Sequence, residues 1–223
     1  ATHFGIDALQ PARGALRQGV IIDLRERLEA LRHARPEDVR DESVRELQGR
    51  FGVAADQALR VRTLAQSLHR GVATADDPLD ESRRELGWAC DLHEVGQMVS
   101  HHDHHRHSAY LVANVDAAGF SQSQQRRISE LVLGQRGGLR KLETALSNPA
   151  FAWQALCLRL AVIKCHARDA IDPRALQLRR NGSSARLSFA PGWANGHPRT
   201  LHLLREEAEA WSRQGGLRLL LPK

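Results

Sequence analysis

The chain has 223 residues, of which 42% are apolar and 26% are charged, and its formal net charge is +6. This composition is ordinary for a soluble globular protein and excludes a chain that is disordered throughout. Because no run of 18 apolar residues and no basic head followed by an apolar stretch occurs, we expect neither a membrane-spanning helix nor a signal peptide.

The first half of the sequence is predicted to be helical after a short extended segment. Residues 1–14 have the pattern of a strand remnant that ends at a turn. Apolar residues spaced by three or four then predict a helix that begins at residue 15 and ends before Pro36, and two more over residues 40–51 and 55–70. Asp77-Pro78 is expected to begin a fourth helix, since Asp is a good N-cap and Pro is tolerated in the first turn.

Three more helices are predicted after a histidine-rich turn. The first contains Tyr110 and Leu111, and the second begins at Ser121, which forms a capping-box pattern with Gln124. Pro149 is expected to begin the last long helix.

The pattern changes beyond residue 171. Alternating apolar residues on both sides of Asn181-Gly182 predict a β-hairpin, followed by a strand over 200–204, a helix over 206–213 and a strand over 217–221. The sequence therefore predicts a mainly α protein: a remnant (1–14), a multi-helix domain (15–170) and a small α+β domain (171–223).

The charge is unevenly distributed along the chain. Up to Glu94 there are 14 Lys and Arg against 17 Asp and Glu, a balance of −3, whereas the remainder has 18 against 9, a balance of +9. Nearly all basic residues are Arg, whose planar fork suits phosphate, so the second half fits a polyanionic partner. A GC-rich genome, which encodes Arg in place of Lys, would give the same composition.

A histidine cluster is the most distinctive local feature. Five of the seven residues from His101 to His107 are histidines, and His105, Arg106 and His107 lie where a helix is expected to begin. Helix N-termini favour anions, so these side chains are candidates for a phosphate cradle. A solvated loop that binds metals adventitiously is the alternative. Basic residues that could extend the cradle follow downstream: Arg126, Arg127, Arg136, Arg140 and Lys141.

His93 and Glu94 are candidate metal ligands. Helical phosphohydrolases of the HD type bind a divalent metal through an adjacent His-Asp pair, an earlier His and a later Asp. Here Gln57 stands at the earlier position, and Lys164 and Arg168 lie about where the closing carboxylate is expected. We therefore expect His93 and Glu94 to make structural hydrogen bonds, and a metal-dependent phosphohydrolase remains the alternative.

The chain resembles the C-terminal half of the exopolyphosphatase/guanosine pentaphosphate phosphatase family. The motifs that carry this resemblance are ALRQGV (15–20), RF (50–51) with QALRV (57–61), WACDLHEVG (88–96), HRHSAY (105–110) and GFS (119–121). The chain departs from the family pattern at Gln135, where the family commonly has His before Arg.

The resemblance implies an HD-like helical domain that has lost its metal ligands, followed by a small terminal domain. It also implies that catalysis, with Mg²⁺, belongs to two actin-like domains that this chain does not contain. In the family this half helps to form a channel for inorganic polyphosphate, often across a homodimer. We expect no catalytic residue, no cofactor and no nucleic-acid or membrane partner for this chain. The candidate polyphosphate-binding residues are Arg17, Arg50, His101, His105, Arg106, His107 and Arg136.

Two further expectations concern substrate and compartment. The resemblance does not distinguish an exopolyphosphatase from a guanosine pentaphosphate phosphatase. The three cysteines lack metal-type spacing, which favours a reducing compartment and predicts a cytoplasmic protein.

Overall fold

The computed structural model describes residues 20, 21, 24, 25, 38–74, 80–170 and 172–222. Residues Val39–Lys223 form one compact unit, and the description below concerns that unit. In the other unit, Ala1–Asp38, residues 20, 21, 24 and 25 are helical. The predicted remnant over 1–14, and most of the helix predicted from residue 15, lie outside the described residues.

The described part of the compact unit is mostly helical, with a small sheet near its C-terminus. Its helices are α1 (Val39–Arg50), α2 (Ala55–Arg70), α3 (Glu81–Leu92), α4 (His104–Asn114), α5 (Gln122–Gly134), α6 (Glu143–Leu146), α7 (Pro149–Cys165), α8 (Trp193–Gly196) and α9 (Pro198–Gln214). Short 3-10 helices span Val95–Met98 and Leu139–Leu142, and the strands are β1 (Leu176–Asn181), β2 (Ser184–Phe189) and β3 (Arg218–Leu220).

Helix α7 lies at the centre of the helical part. Helices α2, α3 and α5 pack against it, which is why it is buried on almost every side and why its sequence is apolar all round. Pro149 begins α7 as predicted, and the side chain of Asn148 caps it by accepting a hydrogen bond from the Phe151 N–H at 3.1 Å. The predicted capping box at Ser121 is also confirmed.

The sheet has the order β1-β2-β3, with β1 and β2 antiparallel and β2 and β3 parallel. Asn181 pairs with Ser184, so the hairpin turn is Gly182-Ser183, and Gly182 has the left-handed φ of +58° that such turns require. Strand β1 approaches the end of α2 closely, since a Cβ on Gly71 would lie 2.0 Å from the carbonyl oxygen of Leu178. The sheet and the helices therefore share one core.

One predicted strand is wrong. Residues 200–204 belong to α9, a 17-residue helix that begins at Pro198. Leu204, Glu207 and Trp211 are the buried residues of α9, and their spacing of three and four is that of a helix face. Asp77-Pro78 lies outside the described residues, and α3 begins at Glu81. The mainly α architecture with a small α+β part is confirmed.

None of the described helices combines the length and the apolar character that crossing a membrane requires.

Candidate anion-binding site

The first turn of α4 is held against the 3-10 helix Val95–Met98 by a close contact at Gly96. A Cβ on Gly96 would lie 2.3 Å from the backbone nitrogen of Ser108 and 2.4 Å from the carbonyl oxygen of His104, so only glycine fits. The Ser108 hydroxyl accepts a hydrogen bond from the Gly96 N–H at 2.8 Å and donates to the His93 carbonyl at 2.9 Å. These contacts fix the start of α4 relative to the end of α3.

Gln135, the departure from the family pattern, supports the same region. Its side-chain NH₂ donates to the His93 carbonyl at 2.7 Å and to the Val132 carbonyl at 3.1 Å. The amide thereby ties the end of α5 to the end of α3, next to the start of α4.

Five basic or imidazole side chains come together where α4 begins and α5 ends. We define this basic cluster as His104, His105, Arg106, Arg136 and Lys141. The Arg136 guanidinium lies 3.3 Å from Nε2 of His104, and Nζ of Lys141 donates to the Arg136 carbonyl at 2.6 Å. A Cβ on Gly137 would lie 3.4 Å from Nζ of Lys141 and 3.9 Å from Nε2 of His105, so these two nitrogens approach one point.

Asp103 is a carboxylate in contact with the basic cluster. Its oxygens lie 3.7 Å from Nε of Arg106 and 4.0 Å from Nδ1 of His105. Asp103 precedes α4 with a left-handed φ of 52°, and its side chain does not cap the helix. Arg106, Arg136 and Lys141 carry three positive charges, and among the described residues Asp103 is the carboxylate that lies within 4.0 Å of the basic cluster. The positive charge of the cluster therefore exceeds the negative charge in contact with it.

The pKa values of His104, His105 and Lys141 are lowered first by burial and then by neighbouring positive charge. Burial, followed by the neighbouring charge of Lys141, lowers the pKa of His105 to about 4. Burial, followed by Arg159 and Arg106, lowers the pKa of Lys141 to about 8. The pKa of His104 is lowered by burial and then by Arg136. A bound anion would reverse the contribution of the neighbouring cations, so the cluster is suited to bind a polyanion.

The structure brings together only part of the predicted set of binding residues. His105, Arg106 and Arg136 belong to the basic cluster, whereas His101 is exposed in the turn before α4 and His107 is half-buried within it. Lys141, predicted as a downstream extension of the cradle, also joins the cluster.

The structure does not place Arg50 in the basic cluster. Arg50 is exposed at the end of α1, and no hydrogen bond or ion pair joins it to the basic cluster within the described part of the chain. Arg17 lies outside the described residues.

Arg127, another of the downstream basic residues, does not extend the cradle. Its Nε donates to the Glu85 carboxylate at 2.6 Å, and its Nη2 donates to the Gln154 side chain at 2.8 Å. Arg127 therefore links α5 to α3 and α7. Its partners lie 42 and 27 residues away, so no local sequence pattern indicates them.

His93 and Glu94 do not fit a divalent metal site. The buried His93 uses Nδ1 to donate to the Cys90 carbonyl at 2.6 Å, and the Arg168 guanidinium lies 3.1 and 3.2 Å from the two Glu94 oxygens. Gln57 donates to the Cys165 carbonyl at 2.9 Å. Within the described ranges, no three His, Cys, Asp or Glu side chains are grouped as metal ligands would be.

The sequence places Arg168 about where a closing carboxylate is expected, but it does not predict the ion pair of Arg168 with Glu94. Arg168 follows α7 with a left-handed φ of 60° and is separated from Glu94 by 74 positions. Its guanidinium neutralises the carboxylate that a metal would need.

Comparison with known families agrees with the resemblance drawn from the motifs. The family model described as Ppx/GppA phosphatase, domain III, matches residues 39–208, which include α1 to α8, the basic cluster and most of α9. With most of its length covered by that model, this chain belongs to the Ppx/GppA phosphatase family.

Proposed function

We propose that this chain is the polyphosphate-binding C-terminal part of an exopolyphosphatase, and that its basic cluster binds the polymer. The observation that carries the proposal is the convergence of Arg106, Arg136 and Lys141, of which Arg106 alone forms an ion pair with a carboxylate, Asp103, among the described residues. A linear chain of phosphates offers negative charge at a regular spacing and can contact several cations at once. Guanidinium groups suit this role because they stay charged and bind phosphate oxygens in pairs.

The proposal assigns no catalytic residue to the described part of the chain. The Arg168–Glu94 ion pair argues against a metal-dependent phosphohydrolase at His93. Hydrolysis of the terminal phosphoanhydride bond, with Mg²⁺, is proposed to belong to the actin-like domains that the family resemblance implies. The role of this chain is then to bind and orient the substrate polymer.

The experiment is a binding titration of the 223-residue chain with long-chain inorganic polyphosphate at several salt concentrations. Affinity for a polyanion should fall steeply with salt, by a slope of about 0.7 per phosphate contact on a single strand. The double variant Arg106→Gln, Arg136→Gln should bind about tenfold more weakly, with a slope lower by about 1.4. Its control is Arg199→Gln, Arg205→Gln, which removes the same charge from two exposed positions on α9.

Two results would contradict polyphosphate binding by the basic cluster. One is an absence of binding at low salt. The other is an equal loss of affinity in the control pair, which would make net charge, and not the basic cluster, the determinant. If guanosine pentaphosphate displaces long-chain polyphosphate at equal phosphate concentration, the substrate is the nucleotide and the exopolyphosphatase assignment is wrong.

We also propose that the protein acts as a cytoplasmic homodimer. The family resemblance supports the dimer, and the three buried cysteines, none of them in a disulfide, support a reducing compartment. Sedimentation equilibrium of the chain over a range of concentrations tests the dimer, and a monomer at all concentrations would refute it.

A further inference from the structure

The outward side of the small sheet carries a second group of arginines. Side chains alternate between the two sides of a strand, and the exposed positions share one side except for Arg180, which lies on the other. We define this sheet face as Gln177 and Arg179 of β1, Ser184, Arg186 and Ser188 of β2, and Arg218 and Leu220 of β3. The opposite side of the sheet is apolar and buried against the helices.

Two of these arginines are direct cross-strand neighbours. Arg179 pairs with Arg186 in the antiparallel register, which places their Cβ atoms about 4.5–5.5 Å apart. Arg218 lies beside Ser184, two residues from Arg186 on the same strand. Like charges that face each other directly across two strands destabilise a sheet.

Nothing within the described part of the chain neutralises these three arginines. The three strands contain no acidic residue, and no ion pair joins Arg179, Arg186 or Arg218 to a carboxylate among the described residues. Arg180, by contrast, lies over the ring of Trp153 at 5.1 Å and donates to the Gly182 carbonyl at 3.2 Å. The sheet face therefore retains concentrated positive charge at a cost in stability.

We propose that the sheet face is a second anion-binding site, which takes phosphate groups of a linear polyphosphate chain. Three guanidinium groups on adjacent strands present several N–H donors, and the hydroxyls of Ser184 and Ser188 offer further donors on the same side. An extended phosphate polymer laid across the strands contacts all three arginines, and its charge removes the repulsion between Arg179 and Arg186.

The chemistry of the sheet face favours an inorganic polymer over a nucleic acid. Single-stranded nucleic acids are held by aromatic side chains on which bases stack. The sheet face has none, and Phe189, the aromatic residue of β2, instead stacks on Trp193 with ring centroids 4.8 Å apart. Phosphate groups without bases match a surface of arginine, serine and glutamine.

This site goes beyond the function proposed above, since the sheet face shares no residue with the basic cluster. A short oligophosphate fits one site, whereas a long chain can engage both and gain affinity from the second contact. The sheet face would thus make binding depend on the length of the polymer.

The test uses the 223-residue chain with the double variant Arg179→Gln, Arg186→Gln. The matched control is Arg205→Gln, Arg213→Gln, two exposed positions on α9. We expect the sheet variant to bind long-chain polyphosphate about tenfold more weakly, with a salt slope lower by about 1.4, and to bind tripolyphosphate with unchanged affinity. Its melting temperature should equal or exceed that of the unmodified chain, because a repulsive pair is removed.

The single variant Arg218→Gln gives a second measurement that leaves the Arg179–Arg186 pair in place, and it should lower the salt slope by about 0.7. The inference is overturned if the sheet variants bind long-chain polyphosphate as their control does. It is also overturned if they lose affinity for single-stranded RNA alone. Failure of the earlier proposal is a separate result, because it requires that Arg106→Gln, Arg136→Gln leave polyphosphate binding unchanged.

Discussion

Replacement of Glu207 on α9 should be among the most destabilising single changes in this chain. Glu207 and Arg159 are buried and form two hydrogen bonds, from Nε at 2.5 Å and from Nη2 at 2.7 Å. The Trp211 indole N–H also donates to Glu207, at 2.6 Å. In Glu207→Ala, the buried Arg159 keeps the Gly134 carbonyl, at 2.7 Å, as its one acceptor among the described residues.

The expected cost follows from what this change leaves behind. Breaking a buried pair and stranding one charge costs about 3–5 kcal/mol, and a buried indole without an acceptor adds about 1–3 kcal/mol. Total stabilities of about 5–15 kcal/mol are usual, so Glu207→Ala should remove a large part of the free energy of unfolding. Arg159 also donates to the carbonyl of Gly134, two residues before Arg136, so movement of Arg159 after the loss of Glu207 should weaken polyphosphate binding as well.

The assay is urea unfolding followed by circular dichroism, with Glu209→Ala, an exposed position on α9, as the control. The control should lie within about 0.5 kcal/mol of the unmodified chain. The double variant Arg159→Met, Glu207→Leu should recover most of the lost stability, because buried ion pairs can be replaced by apolar side chains at little cost. A loss below about 1 kcal/mol for Glu207→Ala would refute the reasoning, since it would mean that Arg159 remains hydrated.

Four further results are expected. Between pH 6.5 and about 4 the unfolded chain binds a proton at His105 that the folded chain does not, so stability should fall across this window, and His105→Asn should flatten a urea titration measured there. As pH falls from 9 to 7, Lys141 gains its proton, so polyphosphate affinity should rise, whereas Lys141→Met should show no such rise in a titration over the same range. Gly96→Ala should cost about 2–3 kcal/mol in urea unfolding, because its methyl group would overlap the backbone of α4, and a neutral result would contradict the close approach. Added Mn²⁺ should leave the melting temperature unchanged, because Arg168 is paired with Glu94. If Mn²⁺ raises the melting temperature and Glu94→Gln abolishes the rise, the metal displaces Arg168 from Glu94 and the expectation is wrong.

The helices could be predicted because their signals are local. Helix α2 has its apolar residues at helical spacing, and the starts of α5 and α7 are marked by Ser121 and Pro149. The strand predicted over residues 200–204 is wrong because a segment of five residues is too short to show a helical period. The period becomes visible only over the longer span from Leu204 to Trp211.

The location of the site could be predicted from the sequence, but the ion pairs around it could not. The histidine-rich segment marks the start of α4, and the basic residues after α5 mark the other half of the basic cluster. The pairs Arg159–Glu207 and Arg168–Glu94 join residues 48 and 74 positions apart. Nothing local in the sequence specifies such a partner, since pairing depends on how whole helices pack.

Arg168 has one lasting consequence for the chain. A guanidinium that is part of the polypeptide cannot be chelated, exchanged for another ion or lost when cellular metal supplies run low, and it keeps its charge at every physiological pH. The positive charge beside Glu94 therefore belongs to the polypeptide itself. The structure around the ends of α3 and α7 should be the same whether metal ions are abundant or scarce.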